Sequence, residues 1–220
     1  MEPEQPGTTA AAALDAQQNT RSRLIEKAAR LFSEQGYDKT SVAGIAEAAD
    51  AFPNQITHHF GSKEALFVEA ARYAMLRTAK SAEDRSRDTE TPESHARSLI
   101  SYLLGPGSGP VMMFAEAMLI ARRTPRLQDI VSRTSAELYR AGESAMVDTF
   151  IRTGWQVGAT PGAITRGFWT AVLGLAVEKA ALGEQFDDRN AEAVVVMLMR
   201  MNAAVESSAS GPARPDGESR

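Results

Sequence analysis

The sequence has no cysteine in its 220 residues, so disulfide bonds, thiolate zinc sites and cysteine nucleophiles are excluded. It also lacks an apolar run of the ~18 residues that a membrane-spanning helix needs. Its N-terminus does not show the basic and then apolar pattern of a signal peptide. These absences predict a cytoplasmic protein with no membrane partner. The hydrophobic fraction of 43% and the charged fraction of 24% are ordinary for a globular protein.

Residues 40–67 combine the signals for a helix, a tight turn and a second helix. Thr40 is a candidate N-cap, and apolar residues follow it at helical spacing: Val42, Ile45, Ala46 and Ala49. Asp50, a residue type that tolerates left-handed backbone angles, marks the turn. Pro53 suits the first position of the next helix, where a missing N–H costs nothing.

The second of these helices is amphipathic. Phe52, Ile56 and Phe60 recur at every fourth residue and predict an apolar stripe that faces inward. Asn54 and His58 lie almost opposite Ile56, with Gln55 and Thr57 on the flanks, so the surface away from the stripe offers amide, hydroxyl and imidazole groups. Such groups can contact base edges in the major groove of DNA. Taken alone, the pattern fits an ordinary helix with a solvated polar face equally well.

Residues 20–70 resemble the N-terminal domain of the tetracycline-repressor (TetR) family of bacterial regulators. The matching segments are LFSEQGYDKTSV, IAEAA and HHFGSKEALF. The resemblance implies an all-α homodimer with a three-helix, helix-turn-helix head that binds DNA. It also implies a larger C-terminal helical bundle that binds a small molecule and forms the dimer.

The candidate DNA-binding residues come from the polar face and from the resemblance. They are Arg21, Thr40, Ser41, Pro53, Asn54, Gln55, Thr57, His58, His59 and Lys63. The resemblance implies a contact between Lys63 and a DNA phosphate. Arg21 fits either a backbone contact or a solvated helix start, and His59 either a phosphate contact or partly buried packing.

The chain departs from the family pattern at several positions of the head. The family commonly has Ser or Thr at Phe52, Lys at Pro53, Gly at Asp50 and Tyr at Thr57, and polar residues where Ala43 and Gly44 stand. We expect these departures to alter the DNA sequence that is bound rather than the fold.

Net charge is −4, which by itself argues against nonspecific binding to nucleic acid. Residues 20–80 are the only net-positive segment, with nine Lys or Arg against seven acids. We therefore expect few ion pairs with phosphates and a modest dependence of DNA affinity on salt.

The domain boundaries follow composition and helix stops. We predict a disordered arm over residues 1–19, the DNA-binding head over 20–67, a ligand-binding and dimerisation domain over 68–205, and a disordered tail over 206–220. The first helix should run from about Arg21 to Gln35 and stop at Gly36, with Tyr37 packing against the head. The helix that begins at Ser62 and Lys63 belongs to both domains, and we take it as a hypothetical route for coupling ligand binding to DNA binding.

Five further helices are predicted at about 94–104, 111–122, 126–153, 163–182 and 191–205. GPGSGP at 105–110 is a connector, because it lacks the Lys-Ser/Thr ending of a phosphate-binding loop. The last two helices are apolar over more than one stripe, so they predict a four-helix interface with their copies in a second subunit.

Candidate ligand-binding residues are adaptable methionines and polar or aromatic groups on largely apolar or central helices: Tyr102, Met113, Glu116, Met118, Tyr139, Glu143 and Trp169. Ordinary core packing or a surface position is the alternative for each of them.

An enzyme is not expected. His58 and His59 are adjacent and diverge by about 100° on a helix, so they cannot share a metal. His95 has no evident Asp or Ser partner, and we expect no cofactor and no metal. The sequence therefore predicts a repressor, with double-stranded operator DNA and an unidentified small-molecule effector as partners. The alternative is a helical binding module with altered or lost DNA binding.

Overall fold

The computed structural model describes residues 6–155 and 158–197, and these residues form helices and no strand. The helices are α1 (Pro6–Lys39), α2 (Val42–Ala48), α3 (Pro53–Phe60), α4 (Lys63–Ser86), α5 (Pro92–Leu104), α6 (Ser108–Arg123), α7 (Gln128–Thr153) and α8 (Pro161–Leu182). Residues 189–197 are also helical. The predicted all-α fold is confirmed. Within the described ranges, no single helix is long and apolar enough to span a membrane, and the bent pair α5 and α6 meets the criteria by length and composition only.

The chain divides into two compact units. Unit 1 contains the residues up to Ser81 together with Gly105–Glu137, and unit 2 contains Ala82–Leu104 together with the residues from Leu138 onward. Helices α4 and α7 contribute residues to both units. The predicted boundary between residues 67 and 68 lies inside α4 and stays a prediction about function.

The core of unit 1 joins the helix-turn-helix to α6. Side chains of α1, α2, α3 and the start of α4 are buried together, among them Leu24, Phe32, Ile45, Ile56 and Phe67. Met113, Ala117 and Ala121 of α6 belong to the same cluster. The Tyr37 ring lies 5.1 Å from the Phe67 ring, which confirms the predicted packing of this aromatic residue.

Three positive φ angles end or turn the helices of unit 1. Gly36 has φ 78° and interrupts α1, as the sequence predicts, and Gly61 has φ 78° at the C-terminus of α3. Asp50 has φ 49°, so the turn between α2 and α3 lies where its residue type predicts it. The Asp50 turn alone lies between α2 and α3, and it sets the direction in which α3 leaves α2.

The predicted disordered arm is wrong for the part that the structure describes, because α1 begins at Pro6 rather than near residue 21. Proline is tolerated in a first helical turn, and the alanines at 10–13 have the highest helix propensity of any residue. Residues 1–5, the predicted helix over 198–205 and the predicted tail over 206–220 lie outside the described residues.

Unit 2 contains α5, α8 and most of α7. Its buried side chains include Ile100 and Leu103 of α5 and Phe168, Trp169 and Val172 of α8. His95 Nδ1 lies 2.9 Å from the carbonyl oxygen of Ser86 and so joins the start of α5 to the end of α4. This buried histidine has a structural partner that its sequence neighbours do not reveal.

Candidate nucleic-acid interface

Helix α2 is capped by Ser41. The Ser41 backbone is extended, with φ −93° and ψ 152°, and its Oγ accepts a hydrogen bond of 3.0 Å from the Gly44 N–H. The prediction of Thr40 as the N-cap is therefore wrong by one residue. Thr40 is only 2% exposed, and its hydroxyl donates to the carbonyl oxygen of Gly36 at 2.8 Å. Its side chain holds α1 against α2, whereas Ser41 remains exposed.

Helix α3 is anchored by one side chain and open on the opposite face. Ile56 is 1% exposed in the core, while Asn54, Thr57 and His58 are exposed. Pro53 occupies the first turn, as predicted. Within the described residues, the side chains of Asn54 and Thr57 make no hydrogen bond, so their polar atoms remain available to a ligand such as DNA.

Phe52 does not belong to the inward stripe that the sequence predicts. It is the N-cap residue of α3, with an extended backbone at φ −88° and ψ 145°, and its side chain is 76% exposed. The helical spacing rule applies only to residues inside a helix, and Phe52 stands just before one. The inward face of α3 is Ile56, with Phe60 partly buried behind it.

Gln55 has a local structural role. Its Oε1 accepts a hydrogen bond of 3.1 Å from the Phe52 backbone N–H, which is half of a capping box. Phe52 has no side-chain oxygen to complete the reciprocal bond. Gln55 is thus held toward the helix start and is only partly exposed.

The two adjacent histidines differ in surroundings. His58 Nε2 lies 3.1 Å from Nε2 of Gln17 in α1, so Gln17, which no sequence motif marks, reaches the candidate DNA-binding face. His59 is partly buried, and burial lowers its pKa, with the nearby His58 and Arg21 acting in the same direction. His59 is consequently biased toward the neutral form, which disfavours a charged contact with phosphate.

Arg21 and Lys63 are both engaged inside the head. The Arg21 guanidinium lies 2.7 Å from a carboxyl oxygen of Glu69 and 5.2 Å from the centre of the Phe60 ring. Lys63 Nζ donates to the carbonyl oxygen of Tyr37 at 2.7 Å. Any phosphate contact by these cations would add to, or compete with, contacts that join α1, α3 and α4.

The candidate ligand-binding residues divide between the two units. Met113, Glu116 and Met118 belong to unit 1, and Tyr102, Tyr139, Glu143 and Trp169 belong to unit 2. Met113 is 3% exposed, and its Sδ accepts a hydrogen bond of 2.9 Å from the Ser33 hydroxyl of α1.

In unit 2, Arg166 lies 5.7 Å from the Tyr139 ring, and Arg85 lies 5.1 Å from the Tyr102 ring. Trp169 is buried and packs edge-on against Phe168. Glu143 is exposed on α7. The role of these residues in ligand binding stays a prediction.

A cavity of about 480 Å³ lies in unit 1 between the corner that joins α1 to α2 and helix α6. Tyr37, Asp38 and Lys39 line one side, and Glu116 and Ile120 line the other. Partial burial raises the pKa of Glu116, and the negative charge of Asp38 raises it further. Of the seven candidate ligand residues, only Glu116 borders this cavity.

Comparison with known proteins decides the family. Residues 24–70 match the model of the bacterial regulatory proteins of the tetR family, and residues 92–198 match a C-terminal domain of bacterial transcriptional repressors. A solved structure from Rhodococcus sp. RHA1, assigned as a transcriptional regulator, is 39% identical with a TM-score of 0.73, over 84% of this chain and 95% of that one. The chain belongs to the TetR family. It is therefore a transcriptional regulator with a DNA-binding head and not an enzyme.

Other proteins match shorter segments of the chain or the fold alone. The repressor AcnR of Corynebacterium glutamicum is 41% identical over 69 residues, which are 31% of this chain and 37% of AcnR. The chain thus matches little more than a third of the length of that curated relative. The multidrug binding protein EbrR, solved with proflavin, has a TM-score of 0.55 at 20% identity, over 81% of this chain and 99% of EbrR.

Proposed function

We propose that this TetR-family protein is a homodimeric repressor that binds a palindromic operator through α3 and is released from it by a small molecule. The observation that best supports operator binding is the exposed surface of α3, where Asn54 and His58 lie opposite the buried Ile56 and Thr57 lies on the flank. The recognition helix of a helix-turn-helix lies in the major groove, where amide, hydroxyl and imidazole groups contact base edges. A protein that acts on a bacterial operator works in the cytoplasm.

An exposed stripe on α8 supports the dimer. Small or short side chains are exposed along it at alternating spacings of four and three residues: Ala163, Gly167, Thr170, Gly174, Val177 and Ala181. This is the heptad spacing of helices that pack side by side. An added Cβ at Gly167 or Gly174 meets no atom of the described residues within 4 Å, so a partner helix could approach the backbone closely at both positions.

Exposed larger apolar side chains extend this surface. Val177 and Leu182 of α8 are 46% and 43% exposed, and Val196 and Met197 of the following helical segment are 39% and 49% exposed. Burial of such side chains against a second copy would stabilise the dimer through the hydrophobic effect. Two recognition helices in such a dimer would enter major grooves about 34 Å apart, one helical turn along the DNA.

The proposal that a small molecule releases the protein from its operator rests on the family membership and on polar groups in unit 2. Tyr139 and Trp169 remain candidates there, and the Thr165 hydroxyl on α8 is buried without a hydrogen-bond partner in the described residues. Buried polar atoms normally find a partner, so this hydroxyl could accept or donate a bond to a ligand. EbrR, which has a similar fold, binds proflavin, and we propose a small-molecule effector of undetermined chemistry here. Helix α4 is the proposed route of coupling, because it contributes residues to both units.

Substitutions on α3 test operator binding. With an operator enriched from random DNA, Asn54→Ala and His58→Ala should each weaken binding by about 1–3 kcal/mol, because each removes a base-edge contact. Asn190→Ala removes the same amide from unit 2 and should leave binding unchanged. Circular dichroism should show equal helicity in all the variants. Unchanged operator affinity in both α3 variants would contradict recognition through α3, whereas failure to enrich any operator would favour a module that no longer binds DNA.

A further inference from the structure

Phe52 is the most exposed large apolar side chain of the candidate DNA-binding head, at 76%. The exposure of the Phe52 ring does not come from a loose turn. The Ala51 N–H donates to the Ala46 carbonyl oxygen at 2.9 Å, and the Phe52 N–H donates to Gln55 Oε1 at 3.1 Å. The backbone on which the ring stands is therefore fixed on both sides, and the ring projects from a defined position.

That position is unfavourable for phenylalanine in the isolated protein. Phe52 is the N-cap of α3, where Ser, Thr, Asp or Asn would accept a hydrogen bond from the first turn. Phenylalanine has no acceptor and leaves a large apolar surface in water. Neither helix capping nor core packing explains the residue, and a contact with a bound partner such as DNA would explain it.

The end of α3 that Phe52 occupies is the end that meets base edges when a recognition helix enters the major groove. A phenyl ring can neither donate nor accept a conventional hydrogen bond. The apolar feature of the major-groove edge is the 5-methyl group of thymine, and cytosine lacks it. Pro53 next to Phe52 is also exposed, so the tip of the helix offers two adjacent apolar side chains.

We propose that Phe52 contacts a thymine 5-methyl group in each operator half-site and so determines specificity at that base pair. The inference rests on the proposed function, since it requires α3 to lie in the major groove. It assigns to Phe52 a role that differs from that of the polar face. Asn54 and His58 recognise hydrogen-bonding groups, whereas Phe52 recognises a methyl group.

Single replacements of thymine by deoxyuridine in the selected operator test this, because they remove one methyl group and leave every base-pairing group in place. We expect wild-type protein to lose about fourfold in affinity at one thymine of each half-site, the value of one buried methyl-sized group. Phe52→Ala should bind the thymine and deoxyuridine operators equally. Leu119→Ala, which shortens an exposed leucine on α6, should keep the wild-type dependence.

The experiment distinguishes a failure of the proposed operator binding from a failure of the proposed role of Phe52. If no operator is enriched, the proposed function falls and this inference falls with it. An operator that shows no methyl-dependent position, or a Phe52→Ala variant that keeps the full dependence, overturns the inference alone. A Phe52→Ala variant that changes the oligomeric state without changing base preference would assign the exposed ring to a protein contact instead.

Discussion

Lys63 at the start of α4 donates a hydrogen bond of 2.7 Å to the carbonyl oxygen of Tyr37, and its ammonium lies 4.2 Å from the centre of the Tyr37 ring. The two residues are 26 positions apart, so this contact joins α4 to the corner between α1 and α2. Lys63 therefore holds the head together, and the phosphate contact that the family resemblance implies for it stays a prediction.

Lys63→Met should lower the free energy of unfolding by about 1–2 kcal/mol, because it removes a charge-assisted hydrogen bond and a cation–π contact. Lys39→Met removes the same charge from an exposed side chain in the same region and should change stability by less than about 0.5 kcal/mol. Urea denaturation of both variants measures the difference. Equal stabilities would mean that the Lys63 contact has no energetic role. If Lys63 also contacts a DNA phosphate, Lys63→Met should reduce the slope of the logarithm of the operator binding constant against the logarithm of salt concentration by about 1.

His59 should make the head less stable in mild acid. Burial lowers its pKa in the folded state, so as the pH falls below the ordinary value of about 6.5 the unfolded chain binds a proton that the folded protein does not. The destabilisation is therefore absent above that pH and grows progressively below it. His59→Gln should therefore show a smaller fall in urea midpoint between pH 7 and pH 5 than wild type. Between pH 8 and pH 7 the two proteins should change alike, and identical curves throughout would contradict the assignment.

Gly142 allows α7 to approach α8. A Cβ at this position would lie 2.6 Å from Thr165 Cγ2, and Thr165 is 2% exposed with little room to move. Gly142→Ala should lower the free energy of unfolding by about 1–3 kcal/mol through overpacking. Gly109→Ala is the matched control on α6, since its added Cβ would make only ordinary contacts with Ser33, the nearest at 3.6 Å. It should be neutral or slightly stabilising, and a Gly142→Ala variant as stable as this control would show that the two helices can separate freely.

Gly174→Leu should dissociate the proposed dimer. The leucine side chain would occupy the exposed stripe of α8 and block the approach of the partner helix. The monomer should stay folded, because leucine has a higher helix propensity than glycine. We expect the dimer dissociation constant, measured by analytical ultracentrifugation, to rise roughly tenfold or more, with loss of operator binding. Ala180→Leu adds a leucine about 100° around α8 from the centre of the stripe and should leave the dimer intact. Equal dissociation constants for the two variants would place the interface elsewhere.

The helices and turns of this chain were predictable because their signals are local. Gly36, Asp50 and Gly61 mark breaks through backbone preferences of single residues, and the structure places a positive φ at each of them. The buried role of Ile56 follows from spacing within one helix. The family resemblance depends on the same short segments, which is why the fold could be predicted.

The predictions that the structure contradicts concern where a helix begins, as they do for α1, α2 and α3. Phe52 fits the helical spacing of Ile56 but precedes the helix, so its ring is exposed. Thr40 and Ser41 are both good capping residues, and only the packing of Thr40 onto the end of α1 separates them. Met113 stays a candidate ligand residue, and its sulfur contacts Ser33, 80 residues earlier. No local pattern indicates such a pairing.

Selection of bound sequences from a random DNA pool with the purified protein tests the central claim most directly. The account predicts enrichment of a two-fold palindrome, with half-sites centred about one helical turn apart and a thymine required in each. Enrichment of a single asymmetric site would contradict the dimer, and no enrichment at low salt would contradict DNA binding through α3.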